Sequence, residues 1–369
     1  MKNESFISGM VTDIKCLGKI TFITVSHGAE TFNIVATHDQ AVGYDKLKNL
    51  KINDYITINT NQQNGEIHAK ELVGSVKSNK GVIPESANVK NYAILLNQIR
   101  NYFYDNNFFE VRLPSIHPGN NKGDIFEIDF FGKKARLSSS NALYSTVMAA
   151  NMGKVYSIQR CYRAEPSKTS KHLSEFDMLE VSFVGHCFED LICELSKFIS
   201  DIFNRVSKLI PDQIKALPFE EIPIVSYADL NCKYGLLNKG LGKHEREISK
   251  NGPTTVIHFP SKISTWSALP IDDNYTYSLN FLAPGVGEVA EGCLRDTRES
   301  FLRCKFEKLD LCDQLNWYVD LNPLPNIKIL SFGLGIERLA MWLFGITNIR
   351  VINCFYRDKN ISETMKYGK

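Results

Sequence analysis

The sequence predicts an α+β protein with a small N-terminal β-barrel and a larger domain built from a sheet and helices. Three observations support this prediction. Short segments that alternate β-branched or aromatic residues with polar ones occur at 20–26, 31–37 and 54–60, a pattern typical of half-buried strands. Apolar residues recur every 3.6 positions along 188–209, as in a helix that packs on a core. The segment 329–346 is typical of a strand, a Gly turn and a helix.

The N-terminal strands are separated by turn-forming clusters, including SHGAE and QQNGE. Their spacing fits a five-stranded barrel over residues 1–75. A polar stretch follows, in which we expect a linker at 76–90. A second domain is then expected at 91–369.

The second domain is predicted to begin with a helix, because five apolar residues fall on one helical face. These residues are Leu95, Leu96, Ile99, Tyr102 and Phe103. The segment FFEVRLP at 108–114 follows, and it is typical of an edge strand closed by Pro114. Further strands are predicted at 154–163, 176–184 and 277–283.

The composition excludes several classes of protein. The chain has 369 residues, of which 43% are hydrophobic, and a formal net charge of +2. A disordered chain would combine low hydrophobicity with a high net charge. The length suggests two or three domains. A protein that mainly grips nucleic-acid backbones usually has a basic excess, and this chain has almost none.

The nine cysteines are scattered along the chain and lie at least six positions apart. They indicate neither a disulfide framework nor a zinc-ligand pair, so we expect a reducing, cytoplasmic environment. The first ten residues contain no apolar signal-peptide region. The hydrophobic stretches fall short of the roughly 20 residues that span a bilayer, and no membrane association is expected.

Charged residues are concentrated between positions 160 and 175. They are Arg160, Arg163, Glu165, Lys168, Lys171, His172 and Glu175. Two strands joined by the polar loop PSKTS would direct several cations to one place, which suits a polyphosphate ligand. Taken alone, the segment is equally typical of an exposed hairpin with salt bridges.

Two further segments carry candidate functional residues. In PGVGEVAEGCLR (284–295), Glu291 and Arg295 are four positions apart and share a face of an extended strand, whereas Glu288 joins that face only if a bulge intervenes. Carboxylates in this segment could hold magnesium. In GLGIER (333–338), Arg338 follows a Gly turn that opens a helix, although such turns are also common structural devices.

In this order, four segments of the chain resemble the signature motifs of class II aminoacyl-tRNA synthetases. The matching segments are FFEVRLP, YRAEPSKTSKHLSEFDMLE, APGVGEVAEGCLR and GLGIERLAMWLFGITNIRVI. The resemblance is closest to the asparaginyl subgroup, with the aspartyl subgroup next, and it extends over residues 1 to about 357 because the N-terminal strands are similar to an anticodon-binding OB-fold. It implies an antiparallel sheet flanked by helices and a homodimer paired through 91–114. It also implies an AMP-forming ligase that uses ATP and Mg2+.

The resemblance also implies roles for individual residues. The implied ATP-binding residues are Arg163, Glu165, Lys171, His172, Phe176, Glu288 and Arg338. Arg163 would contact the α-phosphate and Arg338 would lie over adenine and the γ-phosphate, so both are expected to be catalytic. Lys171 and His172 would lie near the terminal phosphates, and Phe176 would stack on adenine. Glu288 would hold magnesium.

Specificity for the amino acid is implied to come from Glu180 and Arg295. Glu180 would accept from the carboxamide NH2 of asparagine, and Arg295 would donate to its oxygen. The aspartyl enzymes place a Lys where this chain has Ser145. An aspartate side chain would therefore meet Glu180 with no compensating Lys, so asparagine or another primary amide is favoured.

The chain departs from the family where the α-amino group of the substrate is bound. In SSNALY (139–144), which includes the expected substrate-binding residue Ser140, the family's Gln is replaced by Ala142. Asn120 falls where a mobile loop of the family supplies a Glu. Glu291 replaces a Gly or Ser, and Asn280 stands where an Asp is common.

Two interpretations of these departures are open. In the first, Glu291 takes over the α-ammonium group or the metal. In the second, the substrate lacks a free α-ammonium group or presents it differently. A misaligned variable loop is a third explanation, and it applies more to Asn120 than to Ala142.

The N-terminal barrel departs from the family as well. Phe22 matches the aromatic residue that stacks on an anticodon base, but Ser26 and Val35 replace the Arg and Gln that read the central base. Residues 1–75 contain seven Lys, no Arg and eight acidic residues, which is a weak basis for holding phosphates. We therefore expect that this domain has lost anticodon recognition or retains it in a much weakened form.

The sequence thus predicts an asparaginyl-tRNA synthetase-like enzyme that forms an adenylate from asparagine or a close analogue. The expected acceptor is something other than, or less demanding than, a full tRNA. A divergent asparagine–tRNA ligase is the alternative. A regulatory or binding module derived from a synthetase is the third hypothesis, and the retained ATP-contacting residues argue against it.

Overall fold

The computed structural model describes residues 5–27, 30–52, 54–63, 65–76, 86–119, 124–166, 169–237, 239–321, 327–352 and 356–358. The chain forms two compact units, and the boundary between them lies between Ser86 and Ala87. Within the part of the chain that the structure describes, no helix combines the length and apolar character needed to cross a membrane.

The first unit is a closed five-stranded barrel with the strand order β1-β2-β3-β5-β4. Its elements are β1 (Ser5–Leu17), β2 (Ile20–His27), β3 (Glu30–Thr37), the short helix α1 (Tyr44–Lys48), β4 (Tyr55–Gln63) and β5 (Glu66–Val76). Alternate residues point inward and form a core that includes Val11, Ile23, Ile34 and Ile56. The predicted barrel is confirmed, with β1 and β5 completing the three strands that the alternation had located.

The second unit opens with a long helix and several short strands. Its first elements are α2 (Ser86–Asp105), β6 (Phe109–Glu110), β7 (Ile116–Pro118), β8 (Glu127–Phe130), β9 (Lys133–Leu137), α3 (Ala142–Met152), β10 (Lys154–Tyr162), β11 (Glu175–Gly185) and α4 (Phe188–Leu209). The remaining elements are β12 (Ile224–Ser226), α5 (Tyr227–Tyr234), α6 (Glu245–Ile248), β13 (Thr254–Ile257), β14 (Ser278–Ala283), β15 (Gly287–Leu294), α7 (Glu299–Leu309), α8 (Cys312–Asp320), β16 (Lys328–Gly335) and α9 (Ile336–Phe344).

An eight-stranded sheet is the centre of the second unit, in the order β12-β13-β14-β15-β16-β11-β10-β6. Its inner strands from β13 to β10 pair in antiparallel fashion. Of the pairs that the structure describes in this sheet, the two edge pairs, β12 with β13 and β6 with β10, are parallel. A separate three-stranded sheet has the order β7-β9-β8. The predicted α+β class, with an antiparallel sheet flanked by helices, is confirmed.

Helix α4 spans the range that its apolar period predicts. The carboxylate of Asp190 accepts the backbone N–H groups of His186 and Cys187, at 2.7 and 3.2 Å, and so fixes the start of the helix. Its buried face includes Leu195 and Phe198, and Phe198 meets the ring of Phe332 on β16. The helix therefore covers one face of the sheet and anchors its central strands.

Two predicted ranges need correction. Helix α2 begins at Ser86, so its first turn lies inside the range 76–90 expected to be a linker. The segment 108–114 is strand only at β6. After Val111, whose N–H donates to the Tyr156 carbonyl, the ladder ends because the Gln159 side chain binds the Leu113 carbonyl and Pro114 has no N–H to continue it.

Two leucines of α4 give a direct test of this packing. Leu195 is 1% exposed, whereas Leu209 is 55% exposed. We expect Leu195→Ala to lower the free energy of unfolding by about 2–5 kcal/mol because it leaves a cavity, and Leu209→Ala to change it by less than about 0.5 kcal/mol. Chemical denaturation followed by circular dichroism measures both variants. Equal losses would show that α4 is not packed as described.

Candidate active site

One cavity of about 230 Å³ brings together the predicted site residues of the second unit. Its lining includes Ser140, Ala142, Arg163, Glu165, Lys171, His172, Phe176, Glu180, Glu288, Glu291, Arg295 and Arg338. We call it the first cavity. Residues far apart in the sequence therefore converge, whereas Phe22 lies on the barrel and is 42% exposed there.

Strand β11 supplies one wall of the first cavity. Phe176, Met178 and Glu180 line it together, because every second residue of a strand points to the same side. Asp177 and Leu179 alternate with them, and both are buried. The hairpin of β10 and β11 also carries the loop that holds Arg163, as the charge cluster suggested.

A β-bulge in β15 brings Glu288 to the same cavity as Glu291. Phe281 on β14 pairs with Ala290, but the next residue, Leu282, pairs with Glu288. Val289 is therefore the extra residue of a bulge, and it shifts the alternation of β15 by one position. Both carboxylates then line the first cavity. The sequence predicted that Glu288 would share a face with Glu291 only if such a bulge intervened.

The two glutamates create a region of negative charge. Burial, together with the charge of Glu291, raises the pKa of Glu288 to about 7. The Glu288 Oε2 atom also accepts from the Nδ2 of Asn280 at 2.7 Å. A divalent cation would relieve this crowding of carboxylates.

Magnesium fits this pair because it is commonly bound through one or two carboxylates together with substrate phosphates. Among the described residues, no group of three or more His, Cys, Asp or Glu side chains is placed to hold a metal alone. Glu288 and Glu291 would therefore hold magnesium only together with phosphate oxygens.

Cations face these carboxylates across the first cavity. The Nη1 of Arg338 lies 3.7 Å from Oε1 of Glu288 and donates to the Glu288 carbonyl at 3.0 Å. The Arg163 guanidinium lies 5.2 Å from the centre of the Phe176 ring, a cation–π arrangement. Burial, assisted by the charge of Arg338, lowers the pKa of His172. The cavity thus pairs a cationic side with an acidic one.

Glu180 is fixed by the start of helix α3. Its Oε1 and Oε2 atoms both accept from the Asn141 backbone N–H at 2.8 Å, and Oε1 accepts from the Ser140 hydroxyl at 2.5 Å. A helix N-terminus favours an anionic group. Burial nevertheless raises the pKa of this carboxyl, which is 3% exposed. Asn141 was not among the predicted site residues.

Arg295 lies at the end of β15 and is 8% exposed. Its Nη1 donates to the Ser267 hydroxyl, whereas its Nε has no hydrogen-bond partner among the described residues. An unpaired buried donor is costly. Arg295 and the fixed carboxylate of Glu180 line the same cavity, so a guanidinium and a carboxylate are both present there.

Three positions named by the sequence complete the comparison with the structure. Ala142 lines the first cavity and has only a methyl group to offer there. Ser145 does not line it, because its hydroxyl is buried and bonds the Ala142 carbonyl and the Ser182 hydroxyl. Asn120 lies outside the described residues.

A buried network that the sequence did not reveal supports the first cavity. The Glu337 carboxylate accepts the Asp177 backbone N–H at 2.9 and 3.1 Å. The Asp177 carboxylate pairs with Arg160 at 3.2 Å and accepts from the Tyr92 hydroxyl at 2.7 Å. A charged residue inside the apolar run of β11 was the available signal. The network joins α2, β10, β11 and α9.

Comparison with known proteins gives a consistent result. Residues 85–359 match the family model "tRNA synthetases class II (D, K and N)". The asparagine–tRNA ligase of Mycoplasma mycoides subsp. mycoides is 30% identical over 315 residues, which cover 71% of this chain and 69% of that protein. The corresponding ligase of Metamycoplasma arthritidis is 29% identical over 305 residues and covers 72% of this chain and 68% of that protein.

Solved structures share the fold of the whole chain. The asparaginyl-tRNA synthetase of Pyrococcus horikoshii, complexed with asparaginyl-adenylate, has a TM-score of 0.81 at 22% identity and covers 97% of this chain and 95% of that one. The asparaginyl-tRNA synthetase of Entamoeba histolytica has a TM-score of 0.79 at 24% identity and covers 98% and 96% of the two chains.

Two tyrosines of helix α2 test the supporting network. We expect Tyr92→Phe to lower the free energy of unfolding by about 1–3 kcal/mol, because Asp177 loses a buried donor. Tyr104→Phe on the same helix is the matched control, since Tyr104 is 82% exposed and should have no measurable effect. Denaturation curves of both variants decide the question. An unchanged Tyr92→Phe midpoint would contradict the network.

Proposed function

Because the chain belongs to the class II tRNA synthetases of the D, K and N group, we propose that it activates asparagine, or a close primary-amide analogue, as an aminoacyl adenylate. The observation that carries this proposal is the wall formed by Glu180 and Arg295. One buried carboxylate and one buried, partly unpaired guanidinium line the same cavity. A primary amide presents a donor and an acceptor, so it complements both groups.

The same wall disfavours aspartate. Glu180 is held in place by Asn141 and Ser140, so it cannot easily move away from a second carboxylate. Ser145, which replaces the Lys of the aspartyl enzymes, is buried outside the first cavity. A buried like-charge contact without a compensating cation costs several kcal/mol. Discrimination therefore follows from charge and hydrogen bonding at one position.

Adenylate formation requires placement of charge rather than a nucleophilic side chain. A carboxylate oxygen of the amino acid attacks the α-phosphorus of ATP. The bond from that phosphorus to the bridging oxygen then breaks, and pyrophosphate leaves with the electron pair. Arg163 would stabilise the charge on the α-phosphate, Phe176 would stack on adenine, and Arg338 would hold the nucleotide from the opposite side. The other ATP ligands would be Glu165, Lys171 and His172.

Magnesium, when bound, would neutralise phosphate charge during this reaction. Glu288 and Glu291 would hold it, and the bulge at Val289 gives them a common side of β15. Glu291 would also bind the substrate's α-ammonium group, in place of the Gln and Glu partners that this chain lacks at Ala142 and Asn120. Two copies of the chain would pair through 91–114.

The acceptor of the activated amino acid is proposed to be something other than, or less demanding than, a full tRNA. In the barrel, Phe22 pairs with Lys15 on one side and with Val35 on the other. Stacking by Phe22 alone is insensitive to sequence, and residues 1–75 contain no Arg. This surface offers few of the cations that hold nucleic-acid phosphates.

An ordinary asparagine–tRNA ligase is the second candidate. The relatives described above carry that name, and the exposed ring of Phe22 is compatible with stacking on a base. A synthetase-derived module without catalysis would have no need for the converging ATP-contacting residues.

Pyrophosphate exchange tests the activation step. We expect asparagine to support exchange much better than aspartate. Glu180→Gln should lower kcat/KM for asparagine by about tenfold to a hundredfold because the charged acceptor is lost. It should also reduce the ratio of kcat/KM for asparagine to kcat/KM for aspartate. Glu220→Gln, an exposed substitution, is the control and should leave both values unchanged.

The same assay with an α-amino-modified asparagine tests Glu291. Because Glu291 is proposed to bind the α-ammonium group, Glu291→Gln should lower kcat/KM for asparagine more than kcat/KM for the modified analogue. Failure of every amino acid to support exchange would exclude the activation proposal.

Binding of tRNA by the full chain tests the acceptor. We expect weak binding with a shallow salt dependence, because few phosphates can be neutralised. Phe22→Ala and the control Tyr55→Ala, which removes another exposed barrel aromatic, should both change the Kd by less than about twofold, whereas loss of a stacked base costs about 1–3 kcal/mol. Filter binding at two salt concentrations gives these values. Tight binding that Phe22→Ala abolishes, together with efficient charging, would favour the second candidate.

A further inference from the structure

A second cavity of about 560 Å³ borders the first cavity and has a basic lining. Its charged lining residues are Lys171, Lys215, Arg246 and Lys250. No Asp or Glu lines it among the residues that the structure describes. Its other walls include the apolar side chains of Phe219 and Trp342. We call it the basic cavity, and its charge complements an anion.

Lys171 is the point at which the two cavities meet. It lines both of them, and its Nζ donates to the Val286 carbonyl in the turn between β14 and β15. Burial lowers the pKa of Lys171, and the charges of Arg246 and Arg338 add to that shift, whereas the charge of Glu245 opposes it. Cations therefore continue from the first cavity, through Lys171, into the basic cavity.

Two cations of the basic cavity are available to an anion. Arg246 makes no hydrogen bond or ion pair with any of the described residues, and the Lys215 Nζ contacts only the Asp212 carbonyl at 3.0 Å. Lys250 is different, because Glu247 neutralises it at 2.7 Å. The positive charge that no acidic side chain neutralises is thus concentrated at Arg246 and Lys215. Lys171 lies where the basic cavity meets the first cavity.

We propose that the basic cavity binds the pyrophosphate released from ATP, with Arg246 and Lys215 as its principal ligands. This assignment rests on the proposed adenylation activity. The leaving anion forms beside Lys171 when the bond between the α-phosphorus and the bridging oxygen breaks. The side chains of Arg246 and Lys215 lie in the cavity beyond Lys171, so their positive charge attracts pyrophosphate away from the adenylate.

The released product is a better occupant of this cavity than the phosphate chain of bound ATP. The residues expected to hold the nucleotide, including Phe176, Arg163 and Arg338, all line the first cavity and not the basic one. Only the detached anion is free to pass Lys171. The apolar walls at Phe219 and Trp342 lower the local dielectric and so strengthen attraction between opposite charges.

Isothermal titration of the full chain with inorganic pyrophosphate tests this site without requiring turnover. The variant is Arg246→Gln combined with Lys215→Gln. We expect its Kd for pyrophosphate to rise by about fivefold to twentyfold, as for the loss of two partly exposed phosphate contacts, and its Kd for ATP to change by less than about twofold. The matched control is Lys239→Gln combined with Lys243→Gln, two exposed lysines outside the basic cavity, which should alter neither value.

Product inhibition of adenylate formation gives a second readout, in which the inhibition constant for pyrophosphate should rise in parallel while the KM for ATP stays constant. Equal weakening of ATP and pyrophosphate would assign the basic cavity to the phosphate chain of ATP and overturn the proposal. An unchanged pyrophosphate Kd in a variant that still supports asparagine-dependent exchange would overturn it while leaving the proposed function intact. Selective loss of pyrophosphate binding in a chain that activates no amino acid would support the anion site and exclude the proposed function.

Discussion

The buried carboxylate of Glu337 is the contact on which the geometry of the second unit depends most. Strands β11 and β16 pair along their length up to Met178 and Gly335. Beyond that point the Glu337 side chain takes the place of a strand partner and accepts the Asp177 N–H. Because Asp177 in turn binds Arg160 and the Tyr92 hydroxyl, helix α2 is tied to the centre of the sheet. Phe176 and Arg338 are the immediate neighbours of the two acids, so this network positions both walls of the first cavity.

The acidic groups of the first cavity are stabilised in different ways, and this difference organises the chemistry. Glu180 is held by a helix N-terminus and a hydroxyl, so its position is set before any ligand arrives. Glu288 and Glu291 lie on a bulged strand with a raised pKa at Glu288, so they favour a cation. One cavity therefore contains a preorganised carboxylate, Glu180, and a pair of carboxylates, Glu288 and Glu291, that a bound cation would stabilise.

Much of the fold followed from local patterns in the sequence, whereas most of the site followed from the resemblance to class II synthetases. The bounds of α4 were predictable because its apolar period extends over the whole helix. The convergence of Arg163, Glu288 and Arg338 followed only from resemblance, since no local pattern shows which strands become neighbours. The end of the β6 hydrogen-bond ladder after Val111 could not be predicted, because it depends on the side chain of Gln159 from another strand. The basic cavity depends on Lys215 and Arg246, which lie on separate segments whose proximity is purely tertiary.

The bulge at Val289 has a consequence for how this chain relates to others of its type. One added residue in β15 decides whether Glu288 faces the ligand or the opposite side of the sheet. Insertion or deletion of a single residue between Gly287 and Glu291 would therefore change the chemistry of the pocket as strongly as replacing the acid itself. In an alignment of homologues that keep both acids in the pocket, we expect no gaps between Gly287 and Glu291. The length of the hairpin, and not only its composition, therefore determines which carboxylates face the first cavity.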